Sequence, residues 1–150
     1  MINDHSHFLA APSTDLIAGS RLPLPELCVA KHDLEDRLVQ FGSVACRLAQ
    51  QLPRTPLGQH ASLQLIRCST STFANYGEVQ SAESRRDFIH KLGICLKELR
   101  ETRTWLKFAG KMELASLESL HPVLRECDEL LAILASSVKT ARRNSMPTRP

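Results

Sequence analysis

The run DFIHKLGICLKELRETRTWLKFA, residues 87–109, carries three neighbouring stripes at steps of three and four, the spacing of positions that share one face of an α-helix. The first stripe, Phe88, Leu92, Cys95, Leu99 and Leu106, is apolar throughout and reads as a core seam. The second, turned by about 100°, mixes acids with large apolar groups: Asp87, Lys91, Ile94, Glu98, Glu101, Trp105 and Phe108. The third, Arg86, His90, Gly93, Lys97, Arg100, Thr104 and Lys107, is basic and is flanked by Arg85 and Arg103. Ser84, three residues before Asp87, opens the helix as a capping box with Asp in place of the usual Glu, and Gly110 marks its end near Ala109.

Working outward, the same periodicity recurs on both sides. A weaker turn around Met112 to Leu117 leads to His121-Pro122, after which Leu124, Cys127, Leu131, Leu134, Val138 and Ala141 repeat at heptad-like steps and predict a last helix fraying at Arg142-Arg143. Upstream, Pro56 sits where a helix begins, because its missing N–H has no partner there, and Gly77 is placed as the C-cap of a helix over residues 56–76. Ser69, Thr70, Ser71 and Thr72 lower helix propensity within it, so tertiary packing must hold that turn. Leu34, Leu38, Phe41, Ala45, Leu48 and Leu52 predict a first helix over residues 33–52, ended by Pro53. The expectation is an all-α, antiparallel up-down four-helix bundle over residues 32–143. Disordered tails are expected over residues 1–31, interrupted by Pro12, Pro23 and Pro25, and over residues 144–150.

Composition agrees. With 150 residues, 43% of them hydrophobic and only 5% aromatic, the chain has the material for one domain packed through aliphatic seams. Its five cysteines, Cys28, Cys46, Cys68, Cys95 and Cys127, form no CxxC pair and are odd in number, which points to reduced thiols and a cytoplasmic location. No basic leader with an apolar core opens the sequence and no long apolar run follows, so neither secretion nor membrane insertion is expected.

The formal charge of +3 is too small to identify a partner, but its distribution is uneven. Residues 54–110 hold nine Lys and Arg against five acids. Lys97, Arg100, Arg103 and Lys107 are successive neighbours on the helix, where like charges repel by a few tenths of a kcal/mol per pair. Arg67, Arg85, Arg86, Lys97, Arg100, Arg103 and Lys107 are therefore the candidate phosphate contacts of a nucleic-acid surface. The alternative is a solvated face with ion pairs such as Asp87–Lys91 and Lys97–Glu101. Ile94, Glu98, Glu101, Trp105 and Phe108 are the candidate contact between protomers, anchored by Trp105, against the alternative that this edge is buried within the chain's own bundle. An oligomeric protein-interaction scaffold without nucleic acid is the second functional reading.

Catalytic chemistry finds little support in the sequence. A di-iron bundle requires Glu-x-x-His pairs on two helices, and Glu118 with His121 is the only such pair. Glu98 and Glu101 lack an accompanying nucleophile or phosphate loop, and no motif places a His to activate Cys68. No cofactor, metal or small-molecule substrate is expected, and the chain is not expected to be an enzyme.

The stretch from Gln64 to Leu106 resembles four-helix bundle proteins related to those encoded in intervening sequences of bacterial 23S ribosomal RNA. The residues that carry the resemblance are Gln64, Arg67, Ser71, Asn75 and Glu78, then Ser84, Asp87 and Phe88, then the run from Lys97 through Glu98, Glu101, Thr102 and Trp105 to Leu106. Gly77 and Val79 depart from the family's usual residues at the turn after the second helix. The resemblance implies an up-down bundle assembled as a ring-like homopentamer. One relative of this family serves as an accessory protein to the reverse transcriptase of diversity-generating retroelements, which implies a nucleic-acid partner, RNA or DNA.

Overall fold

Four α-helices form along the expected stripes: α1 Leu34–Gln50, α2 Pro56–Gln80, α3 Arg85–Lys111 and α4 Leu117–Arg143. They come from a computed structural model that describes residues 34–143, and the tails assigned to residues 1–31 and 144–150 lie outside the described residues. Each helix packs against its neighbours in sequence through a short connection, and α4 returns to α1. Short connections between packed helices make successive helices antiparallel, so the arrangement is an up-down bundle.

Local signals set the helix ends. Thr55 caps α2, its hydroxyl accepting the Gly58 N–H at 3.1 Å, with Pro56 at the first helical position. Ser84 caps α3 by accepting the Asp87 N–H at 3.1 Å, and the Asp87 carboxylate reaches back to accept the Glu83 N–H at 3.2 Å, one residue before the cap rather than the cap's own N–H as in a standard capping box. Two boundaries differ from expectation. Gly77 does not end α2, which continues one turn to Gln80 and buries Val79; the gain from that burial outweighs the helix cost of one glycine. α4 begins at Leu117 and runs through Pro122, because Ser116 supplies a cap, accepting the Ser119 N–H at 3.3 Å. Pro122 then removes only the early bond to the Glu118 carbonyl.

The hydroxyl run of α2 stays helical by bonding to its own backbone. Ser69 donates to the Leu65 carbonyl at 2.6 Å, Thr70 to Ile66 at 2.8 Å and Thr72 to Cys68 at 2.9 Å. Each buried or half-buried hydroxyl is thereby satisfied without competing for a non-helical turn. Around this helix the core is aliphatic, with Leu38, Leu48, Leu65, Leu92, Leu99, Leu106, Leu130 and Leu134 all essentially inaccessible. Gly42 lets α1 approach α2 closely, since a Cβ there would stand 2.7 Å from the Phe73 ring.

Burial also places an ionisable load in the core. It pushes the thiol of Cys95 up to about 11 and that of Cys127 up to about 12, above the ordinary value near 8.5. The native state keeps these protons after the unfolded chain has released them, so stability is whole below about pH 8.5 and falls as pH rises toward the folded values. Cys127 alone contributes a slope of up to about 1.4 kcal/mol per pH unit across that window. Thermal unfolding is expected to move to lower temperature between about pH 8 and pH 10, and Cys127→Ala to flatten the dependence. An unchanged slope in that variant would assign the loss to other groups.

Candidate nucleic-acid interface

The outward face of α3 is built from Arg86, Lys97, Arg100 and Lys107. All four are exposed, and none has an ion-pair partner among the described residues. They span roughly 32 Å at 1.5 Å per residue. His90, Gly93 and Thr104 share the face and are exposed too, with the Thr104 hydroxyl turned onto the Arg100 carbonyl at 2.9 Å. Arg85 is exposed beside Arg86 in the first turn, where the positive end of the helix dipole adds to their charge.

Two of the predicted basic contacts are engaged inside the molecule. Arg67 projects from α2 and pairs with Glu101 of α3, with Glu98 at 3.7 Å, while its Nε donates to Gln64 at 3.3 Å. The hydrogen bond from Arg67 to Glu101 raises the arginine's pKa above its ordinary value. Arg103, half-buried, pairs with Asp128 of α4. The expected Lys97–Glu101 pair is not among the ion pairs, because Glu101 is taken by Arg67 and Lys97 is left uncompensated. The expected Asp87–Lys91 pair forms at 2.9 Å, which holds the Asp87 carboxyl below its usual value and Lys91 above it.

The mixed stripe lies along the seam between α3 and α2. Trp105 meets His60 of α2 edge to face, with ring centroids 5.4 Å apart, and meets Phe108 at the same separation. Ile94, Trp105 and Phe108 are half-buried and keep part of their surface accessible. Glu98 is buried, and its Oε2 has no hydrogen-bond partner, leaving Arg67 as the nearest compensating charge. Both readings of the stripe thus have a physical counterpart: Glu98 and Glu101 are compensated from α2 by Arg67, while its large apolar groups remain partly open. Sequence reasoning does not single out His60 or Asp128. Their partners sit on other helices, so only the relative rotation of the helices reveals the pairing.

Among the described residues no group of three His, Cys, Asp or Glu could hold a metal ion, and Glu118 and His121 are both exposed. Burial raises the Cys68 thiol above its ordinary value, and its Sγ donates to the Leu65 carbonyl at 3.6 Å, an environment that keeps it protonated and poorly nucleophilic. No described helix is long and apolar enough to cross a membrane.

A family model described as 23S rRNA-intervening sequence protein matches residues 35–136. Among solved structures, a crystal structure of a protein with unknown function from the S23 ribosomal protein family of Bacteroides thetaiotaomicron superposes with a TM-score of 0.67 at 32% sequence identity, covering 71% of this chain and 99% of that one. No curated protein matches the chain.

Proposed function

The chain belongs to the 23S rRNA-intervening sequence protein family, and from that premise we propose that it is a non-enzymatic, self-associating cytoplasmic bundle that binds RNA along α3. The observation that carries this reading is the row of exposed cations Arg86, Lys97, Arg100 and Lys107, none of which has an ion-pair partner among the described residues. Arg67 and Arg103, in the same neighbourhood, have carboxylate partners, so the molecule supplies acids where two helices must be joined and leaves them off the outer face. Phosphates along a strand relieve the repulsion between the remaining cations, and their counterions are released on binding. Arg67 and Arg103 then act chiefly as cross-helix ties, and Arg85 adds charge at the start of the face. For self-association, the half-open Ile94, Trp105 and Phe108 offer an apolar contact to a second copy, with Glu98 and Glu101 shaping it through Arg67. The pentameric number rests on resemblance to the family.

Reversing three charges on the face, Lys97→Glu with Arg100→Glu and Lys107→Glu, is expected to weaken RNA retention by on the order of a hundredfold while leaving the light-scattering mass unchanged. These side chains touch no other helix through an ion pair, so folding has no reason to change. Undiminished RNA retention would remove the face from the account and favour the protein-interaction reading.

A further inference from the structure

The basic row of α3 has a counterpart on α4. The two helices are tied face to face by the Arg103–Asp128 pair and by the Cys127 Sγ donating to the Leu99 carbonyl at 3.6 Å. Run antiparallel from that tie, Lys107 stands about level with Arg125, Arg100 with Ala132 and Gly93 with Lys139. On α4, Arg125 lies three residues before Asp128, while Ala132, Ala135, Lys139 and Arg142 lie four, seven, eleven and fourteen after it, so all share its side of the helix. All five are exposed, and Arg125, Lys139 and Arg142 have no ion-pair partner among the described residues. The acids nearby are already spoken for: Asp128 by Arg103 and Glu129 by Arg37, while Glu118 stands past the level of Lys107 at the start of α4.

We infer that α4 supplies the second wall of a double-stranded RNA site, with the α3 row on the phosphates of one strand and Arg125, Lys139 and Arg142 on those of the other. The inference rests on the RNA-binding reading of α3 and names its substrate class. Geometry favours it, because packed helices lie about 8–10 Å apart, so the two rows run side by side over roughly 26 Å, as two phosphate strands do where they border a groove. Ala132 and Ala135, exposed between the rows, keep the floor low and let the strands approach. Chemistry favours it as well. Single-stranded RNA is read by stacking its bases on aromatic rings and by hydrogen bonds to their edges, whereas a duplex is read by shape and phosphates. Neither α3 nor α4 contains an Asn or Gln, and α4 has no Phe, Tyr or Trp. Trp105 of α3 is turned onto His60 of α2, and Phe108 packs on Trp105, away from α4. A face with cations and short side chains but no base-reading group binds a duplex without regard to its sequence.

The test compares a labelled RNA duplex of about 16 base pairs with one of its strands alone, by fluorescence anisotropy across salt. Seven cations on the duplex predict a slope of about −6 in the logarithm of the binding constant, against about −3 for the strand held by the α3 row only. The variant Arg125→Gln with Lys139→Gln and Arg142→Gln is expected to weaken duplex binding at least about tenfold and to bring its slope to about −4, with binding of the strand unchanged. A second duplex of different sequence is expected to bind within about twofold of the first. A duplex slope no steeper than the strand's, a neutralised α4 that spares the duplex or weakens both RNAs equally, or a strong preference between the two duplexes would each overturn the proposal while leaving the α3 reading in place. Binding of neither RNA at the lowest salt would overturn both.

Discussion

Arg37→Ala is expected to lower the unfolding free energy by about 3 kcal/mol, a large share of the roughly 5–15 kcal/mol typical of a domain. The guanidinium joins α1 to α4 through Nε to Glu126 at 2.6 Å and Nη2 to Glu126 and Glu129 at 3.0 and 2.6 Å. The Glu126 side chain is only 5% exposed. Removing the arginine leaves that carboxylate dry and unpaired, and the penalty is the desolvation of the survivor rather than the value of the pair. The same reasoning predicts that Arg37→Met with Glu126→Leu recovers most of the loss, since apolar replacements of similar size often equal a buried ion pair. Denaturant unfolding of the two variants beside the wild type checks both parts; a double variant no more stable than Arg37→Ala would show that the clasp, and not the stranded charge, carries the energy.

Gly58→Ala is expected to cost about 2–3 kcal/mol, although glycine to alanine inside a helix ordinarily gains up to about 1 kcal/mol. A Cβ at Gly58 would lie 2.1 Å from the Pro53 carbonyl oxygen, and a backbone atom in the α1–α2 connection cannot swing aside as a side-chain tip does. Relief requires moving the connection, which disturbs the Thr55 cap and buried Leu52. Gly93→Ala is the matched comparison: its Cβ would meet nothing within 4 Å in the middle of α3, so the ordinary propensity gain should appear there. Thermal melts of the two variants are expected to shift in opposite directions. A shared direction would mean that the Gly58 contact relaxes freely.

The heptad-like seams make the bundle legible, because Leu38, Phe41, Leu48, Leu92, Leu99, Leu134 and their neighbours follow a period that only a helix buries on one side. Capping chemistry at Ser84 and the start of α2 at Pro56 are equally local and equally readable, whereas the Thr55 cap emerges only in the structure. What the sequence does not disclose depends on how helices are turned against one another. Gly77 reads as a stop until Val79 is seen to have a place in the core, and Pro122 reads as a stronger signal than the Ser116 cap that starts α4. The basic stripe of α3 is visible as a pattern, but its division into engaged and unpaired cations is not. Arg67 and Arg103 are neutralised by residues 34 and 25 positions away, on other helices. The family resemblance rests on residues such as Gln64, Arg67, Glu98 and Glu101, and these are the ones that tie α2 to α3.

The central claim, that α3 presents an RNA-binding row of uncompensated cations, is tested most directly by the salt dependence of RNA binding to the wild-type chain. Four cations on the face without an ion-pair partner among the described residues predict that the logarithm of the binding constant falls linearly with the logarithm of salt concentration, with a slope of about −3 per chain for a single strand. Fluorescence anisotropy of a labelled RNA, titrated across about 50–200 mM salt, measures it. A slope of that size supports binding through Arg86, Lys97, Arg100 and Lys107, and a flat dependence, or no binding at the lowest salt, would contradict the account.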